Sequence, residues 1–246
     1  MKLDKEVKYT TIPKRTARMQ HKHLLFINKL NNGIVYLNQK INLTSERKSE
    51  YQENSVRFAE QMTSSSRYYQ SKRNGGNLER IIQQIIFSKN AEQVVYCYLA
   101  NIGFPVDEKI IEKMFEIRYG GKKGWEPDLE YNLIDKNYPD IHIKSCDGQT
   151  RNFLKNNGNN KAEYSWLFQA GSNGTDDIFD EEKDDEIVVF IYLDGLDDII
   201  IHSAGRMRFI RKILRDPLSL KHRGSKLAVY SNDLIDLFKS ALEGVI

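Results

Sequence analysis

Residues 125–147 read WEPDLEYNLIDKNYPDIHIKSCD, and the second half of this stretch decides the fold. Asp140, His142 and Lys144 alternate with Ile141, Ile143 and Ser145. That period of two belongs to a β-strand, so polar groups line one face and isoleucines anchor the other. Pro127-Asp128 opens another short alternating run just upstream. A second strand there, lying beside the first, brings Asp128 next to His142 and Lys144, a carboxylate, an imidazole and an amine that together outline a metal-and-lysine site.

Downstream, 147–165 is polar and rich in Asn and Gly, which predicts a loop carrying Arg151, Lys155 and Lys161. Trp166-Leu167-Phe168-Gln169 reads as a short strand, and the acidic run from Asp176 to Glu186 as a solvated connection. EIVVFIYLDG and DDIIIHSAG then read as two core strands in a hairpin turning near Gly195. A helix over RMRFIRKILRDP carries Arg206, Arg208, Arg211, Lys212 and Arg215 and is stopped by Asp216-Pro217. The remainder reads as a strand at about 226–230 and a helix capped by Ser231 or Asn232 and ending near Leu242.

Upstream, residues 77–103 are strongly helical, with an interruption expected near Ser88-Lys89-Asn90 and a stop at Gly103. Glu92 falls in the first turn of the second of those helices, where the helix dipole alone explains a carboxylate. A short helix at about Asp107–Arg118 leads into the GGKKG loop with Lys122 and Lys123. Before residue 77 the spacing predicts helices at about Thr16–Leu30 and Ser45–Met62. The following TSSSRYYQSKRNGG interleaves Tyr68 and Tyr69 with Arg67, Lys72 and Arg73, a pattern that suits base stacking and phosphate contact as well as it suits a plain linker.

The chain has 246 residues, 40% of them hydrophobic, enough for one sizeable core with a small appended region. No apolar run has the length of a membrane span and no secretory signal is legible, so an intracellular, cytoplasmic protein with no membrane partner is expected. Cys97 and Cys146 form no CxxC pair and are read as reduced structural residues. The net charge of +3 conceals an asymmetry: Lys and Arg number 16 against 7 Asp and Glu over residues 1–80, and 21 against 27 afterwards. A basic front half points to a polyanionic partner or to a solvated surface.

SKNAEQVVYCYLANIGFPV, WEPDLEYNL, DIHIKSC and SWLFQ, in that order, resemble the helix and strands of the PD-(D/E)xK nuclease superfamily, over roughly residues 77–246. The resemblance implies an α/β fold with a restriction endonuclease-like mixed sheet flanked by helices; ahead of it, residues 1–76 read from their spacing and charge as a mainly helical basic extension, a candidate DNA-contacting arm. It implies a Mg2+-dependent endonuclease, with Mn2+ as substitute, acting on double-stranded DNA, with a homodimer as a candidate assembly. Position by position it carries Asp128 as principal metal ligand, Glu92 as the helix carboxylate, His142 and Lys144 as the acid-x-Lys pair, and Gln169 as a glutamine of the following strand. The departure is His142, which stands where the family has Asp or Glu; His142 itself or Asp140, two residues earlier on the same face, can take the missing ligand's place. DNA would be held by Arg67, Lys72, Arg73, Lys122, Lys123, Arg151, Lys155, Arg206, Arg208, Arg211 and Lys212. The rival readings are a DNA-binding module on the same fold without catalysis, and an RNA-directed nuclease. Singly, Pro127-Asp128 also fits a turn, Lys144 an edge-strand lysine and His142 a satisfied half-buried histidine.

Overall fold

Every residue of Ile187–Leu193 is apolar, and such a run suits a strand covered on both faces. In the computed structural model, which describes residues 17–65, 77–117, 127–157, 162–171 and 174–243, it is the central strand β5 (Ile187–Asp194). With β1 (Ile34–Lys40), β2 (Ile141–Cys146) and β6 (Asp198–Arg206) it makes a mixed sheet of order β1-β6-β5-β2. β2 runs parallel to β5, while the β1–β6 and β5–β6 pairs are antiparallel. β3 (Ser165–Gly171), β4 (Gly174–Thr175) and β7 (Lys226–Tyr230) form a smaller sheet of order β4-β3-β7.

The two faces of β5 meet different layers. Ile187, Val189, Ile191 and Leu193 pack with Val94, Val95 and Leu99 of a long helix, α3 (Leu78–Asn101). Val188, Phe190 and Tyr192 pack with Trp166 and Phe168 of β3. The chain is thus a mixed α/β protein in which helices cover one face of the main sheet, and the small sheet together with the helices at 207–211 and 231–242 covers the other. At the irregularity between Phe190 and Ile191, the buried Trp166 indole donates a 3.0 Å hydrogen bond to the Ile191 carbonyl, which ties the layers together.

The front of the chain belongs to the same body. α1 (Ala17–Asn31) contributes Phe26 and Leu30 to the core, and α2 (Ser45–Ser65) lies against α3. Between them comes β1, a strand that the helical reading of 1–76 did not anticipate; it forms the edge of the main sheet by pairing with β6. Its signal is short, because only Ile34, Val35, Tyr36 and Leu37 are apolar before Asn38-Gln39-Lys40. The expected interruption at Ser88–Asn90 does not occur, and α3 is continuous. Asn90 is instead buried against α2, accepting from Ser55 Oγ at 2.7 Å and donating to Gln52 at 3.0 Å, while Gln93 donates to Ser55 at 2.9 Å. Tertiary hydrogen bonds here outweigh the weak helix propensity of asparagine.

Further corrections concern loops. Residues 148–156, expected as loop, form α5 (Gly148–Asn156), capped by Asp147 Oδ1 on the Thr150 amide at 3.1 Å and anchored by the fully buried Leu154. The helix expected at 107–118 is α4 (Glu108–Met114), and the basic helix after Gly205 is the short α6 (Met207–Arg211). α7 (Ser231–Leu242) closes the chain's described part. Gly195 turns the β5–β6 hairpin at φ +63°, as the spacing predicts. Both cysteines are free thiols. Among the described residues no helix is long and apolar enough to cross a membrane.

Candidate active site at the free edge of strand β2

One edge of β2 pairs with β5; among the described residues the other is bridged by the segment around Asp128. The strand expected there reduces to a single bridge, Leu129 to Ile141, after which Tyr131–Leu133 turn in one 3-10 turn. The bridge is enough to set Asp128. Its backbone amide donates to the Ile141 carbonyl at 3.0 Å, and its Oδ2 accepts from the Ile143 amide at 2.6 Å. The carboxylate therefore caps the next rung of the strand, beside the residue that separates His142 from Lys144.

The alternation of β2 is as the sequence predicts. Ile141 and Ile143 face the α3 side; Cys146 packs among Trp166 and Phe168, and the Lys144 ammonium lies 4.8 Å from the Phe168 ring centroid on that same side. This divides the expected residues. Glu92 comes from α3 and is 4% exposed, with Oε2 2.5 Å from Lys89 Nζ. Burial pushes its carboxyl up to about 7; Lys89 opposes that rise, and the nearby Asp128 charge adds to it. Asp128 thus lies in the plane of the strand and is electrostatically coupled to Glu92, whose direct partner is Lys89.

His142 and Lys144 meet the acidic segment instead. Lys144 Nζ is 2.7 Å from Asp176 Oδ1, and Asp176 Oδ2 accepts from the Gln169 amide at 2.6 Å. Gln169 thereby enters through its backbone, which also accepts from the Asp176 amide at 2.9 Å. His142 Nε2 lies 2.5 Å from Glu186 Oε2 and 3.9 Å from Asp177 Oδ2, and Lys183 pairs with that same Oδ2. The acidic run is solvated only in part: Asp180, Glu181, Glu182 and Asp185 are exposed, while Asp176, 8% exposed, and Asp177 and Glu186 lie against the polar residues of β2. Asp140 accepts from the Asn132 amide at 2.8 Å; burial raises its carboxyl, and Glu186's charge raises it further.

The same segment neutralises the basic cluster that follows β6. Arg206 is 8% exposed and binds Asn31 Oδ1 at 3.0 Å and Asp185. Arg208 also binds Asp185, and Arg211 binds Asp184 at 2.7 Å and the carbonyls of Ile178 and Asp180. Arg151 pairs with Glu163 at 3.4 Å, whereas Lys155 and Lys212 are exposed. Lys122, Lys123, Lys161, Arg67, Lys72 and Arg73 lie outside the described residues.

Asp176, Asp177, Glu186 and Lys89 were not singled out by sequence. Glu186 was readable in principle: parallel pairing sets Ile187 opposite Ile141, which brings the residue before β5 next to His142. That inference needs the pairing, and pairing partners 46 residues apart leave no local trace. Compared with models of known protein families, with curated proteins and with solved structures, the chain gives no match.

Proposed function

We propose that this chain is a divalent-metal-dependent nuclease that hydrolyses phosphodiester bonds in DNA, on a restriction endonuclease-like arrangement of mixed sheet and helices. The observation that carries the reading is the seat of Asp128: its carboxylate rests on the amide between His142 and Lys144, and its charge reaches Glu92. The Asp128 charge raises the proton affinity of the Glu92 carboxyl, and a cation beside the two would relieve that repulsion, so the donor set fits Mg2+ or Mn2+ held by Asp128 with Glu92. Such an ion supplies an activated water and polarises the phosphoryl group.

The chain's own residues do the rest. In the ion-free chain the Glu92 carboxyl sits near 7, so taking up the ion at neutral pH releases a proton from it. Lys144, oriented by Asp176 and the Phe168 ring, offers positive charge to a phosphorane-like transition state once it exchanges Asp176 for phosphate. Asp128 holds its place through the strand amide, which fixes the site relative to the rigid sheet.

One observation favours a second reading, a DNA-binding protein without cleavage: His142 and Lys144 are already satisfied by Glu186 and Asp176. Supercoiled plasmid incubated with Mg2+, Mn2+ or EDTA separates the two. Metal-dependent nicking or linearisation, lowered at least 100-fold in Asp128→Asn and in Lys144→Met, is the expected result. A gel shift with no cleavage in either metal supports the binder, and preferential cutting of RNA in a parallel incubation moves the substrate class to RNA.

A further inference from the structure

On the face of β2 opposite α3, three donor side chains converge from separate segments. His142 comes from the strand, Asp177 from the 3-10 turn Asp177–Phe179, and Glu186 from the residue that enters β5. One ligand atom from each lies within 4.8 Å of the other two. The side chains are 10%, 13% and 19% exposed, so this is an enclosed imidazole-and-carboxylate set rather than a patch of surface acids. Asp140, on the same face, feels the charges of both His142 and Glu186. With the imidazole neutral, Asp140, Asp177 and Glu186 bring three negative charges against the single positive charge of Lys183.

We propose that His142, Asp177 and Glu186 bind one divalent ion of the Mn2+ or Zn2+ kind, at a site separate from the Asp128–Glu92 pair, and that this ion clasps the acidic segment 176–186 onto β2. One nitrogen and two carboxylate donors suit these ions, whereas Mg2+ takes oxygen ligands and retains its waters. Donors at about 2.0–2.2 Å from a tetrahedral ion stand about 3.3–3.6 Å apart. The 3.9 Å gap between Nε2 and Asp177 closes to that range, the 2.5 Å contact between Nε2 and Glu186 opens to it, and the Asp177 and Glu186 oxygens, within 4.8 Å of each other, draw in, each change about 1–1.5 Å or less and within the reach of side-chain rotation. In the ion-free form the imidazole and Glu186 share a hydrogen bond between the two atoms that would turn to the ion. Lys183 holds the same Oδ2 of Asp177 that faces His142, and with a side chain 27% exposed it can turn to Oδ1 or to solvent when the ion takes that oxygen.

The clasp does not depend on the nuclease reading, and its test keeps the two apart. Chelator-treated full-length Asp128→Asn protein, in which the other carboxylate pair is broken, is titrated with MnCl2 and with ZnCl2 by calorimetry. One ion per chain is expected to bind, at least tenfold more weakly when Glu186→Gln or Asp177→Asn is added. Bound Mn2+ in the Asp128→Asn protein should show nitrogen hyperfine modulation by pulsed electron paramagnetic resonance, abolished in His142→Gln. The carboxamide variants keep the shape of the site, so they decide the matter if His142→Gln does not fold. Failure of both ions to saturate a single site, binding undiminished in Glu186→Gln, or Mn2+ without nitrogen modulation overturns the proposal.

Discussion

Glu92 is the residue whose chemistry departs furthest from its ordinary behaviour at the site, and its pH dependence has a definite sign. Its carboxyl moves from 4.5 to about 7 on folding, so the folded chain holds the proton more tightly than the unfolded one. Stability from this group is fullest below about 4.5 and is lost as pH rises to about 7, by about 3 kcal/mol. His202 acts in the opposite sense: burial lowers it from 6.5 to about 4, so its contribution is full above about 6.5 and is lost as pH falls to about 4. The two oppose one another between about 4.5 and 6.5 in the wild type. In Glu92→Gln the opposing fall is removed, and urea denaturation should show stability rising with pH relative to wild type across that window; an unchanged difference curve would remove Glu92 from the pH balance. Lys144 gives a second test. Lys144→Met should cost about 1–3 kcal/mol, because Asp176 is left buried without its counter-charge, and Lys144→Met/Asp176→Asn should recover most of it. A double variant as unstable as the single one would mean that the pair contributes through packing instead. At this scale the sequence was informative about β2, where alternation alone separates the faces, and uninformative about which acids the polar face meets, since Asp176, Asp177 and Glu186 approach only after the chain has passed through α5 and β3.

Among the elements, legibility followed burial. β5 and β6 are apolar along their length and announce themselves, and Gly195 marks the turn between them. α5 was hidden because its Asn- and Gly-rich sequence has little intrinsic helix preference; it forms around one cap and one buried leucine. The sequence pattern breaks α3 at residues whose polar groups in fact hold it against α2. The end of α3 offers a test of how closely the front of the chain is fitted. Gly103 has φ +102°, and a Cβ on it would lie 2.2 Å from the carbonyl oxygen of Met19 in α1. Gly103→Ala should therefore destabilise by about 3 kcal/mol, combining backbone strain with displacement of α1. A fall of less than about 1 kcal/mol in thermal or urea unfolding would mean that α1 is not held against this turn.

For the molecule as a whole, the integration of β1 changes how DNA binding has to be tested. Deleting residues before 77 removes an edge strand, α1 and α2 together, so such a truncation should lose cooperative unfolding and cannot report on charge alone. Substitution keeps the sheet. Arg67→Ala/Lys72→Ala/Arg73→Ala should flatten the log–log salt dependence of duplex binding by about 2–3, near one unit for each phosphate left without a cationic side chain. Arg208→Gln/Arg211→Gln should change it little, since those guanidinium groups are matched by Asp184 and Asp185. Salt titrations by fluorescence anisotropy measure both, and the reverse ranking would place the DNA on the Arg208–Arg211 side.

The pairing of β1 with β6 also sets an order of events during synthesis. Ile34 finds its partner in Gly205, about 170 residues later. At roughly 5–20 residues per second, the ribosome takes about 10–30 s to supply that partner. Throughout that interval Ile34-Val35-Tyr36-Leu37 has no strand to lie against, and Lys29 and Lys40 on its flanks are the charges that discourage nascent chains from adhering to one another.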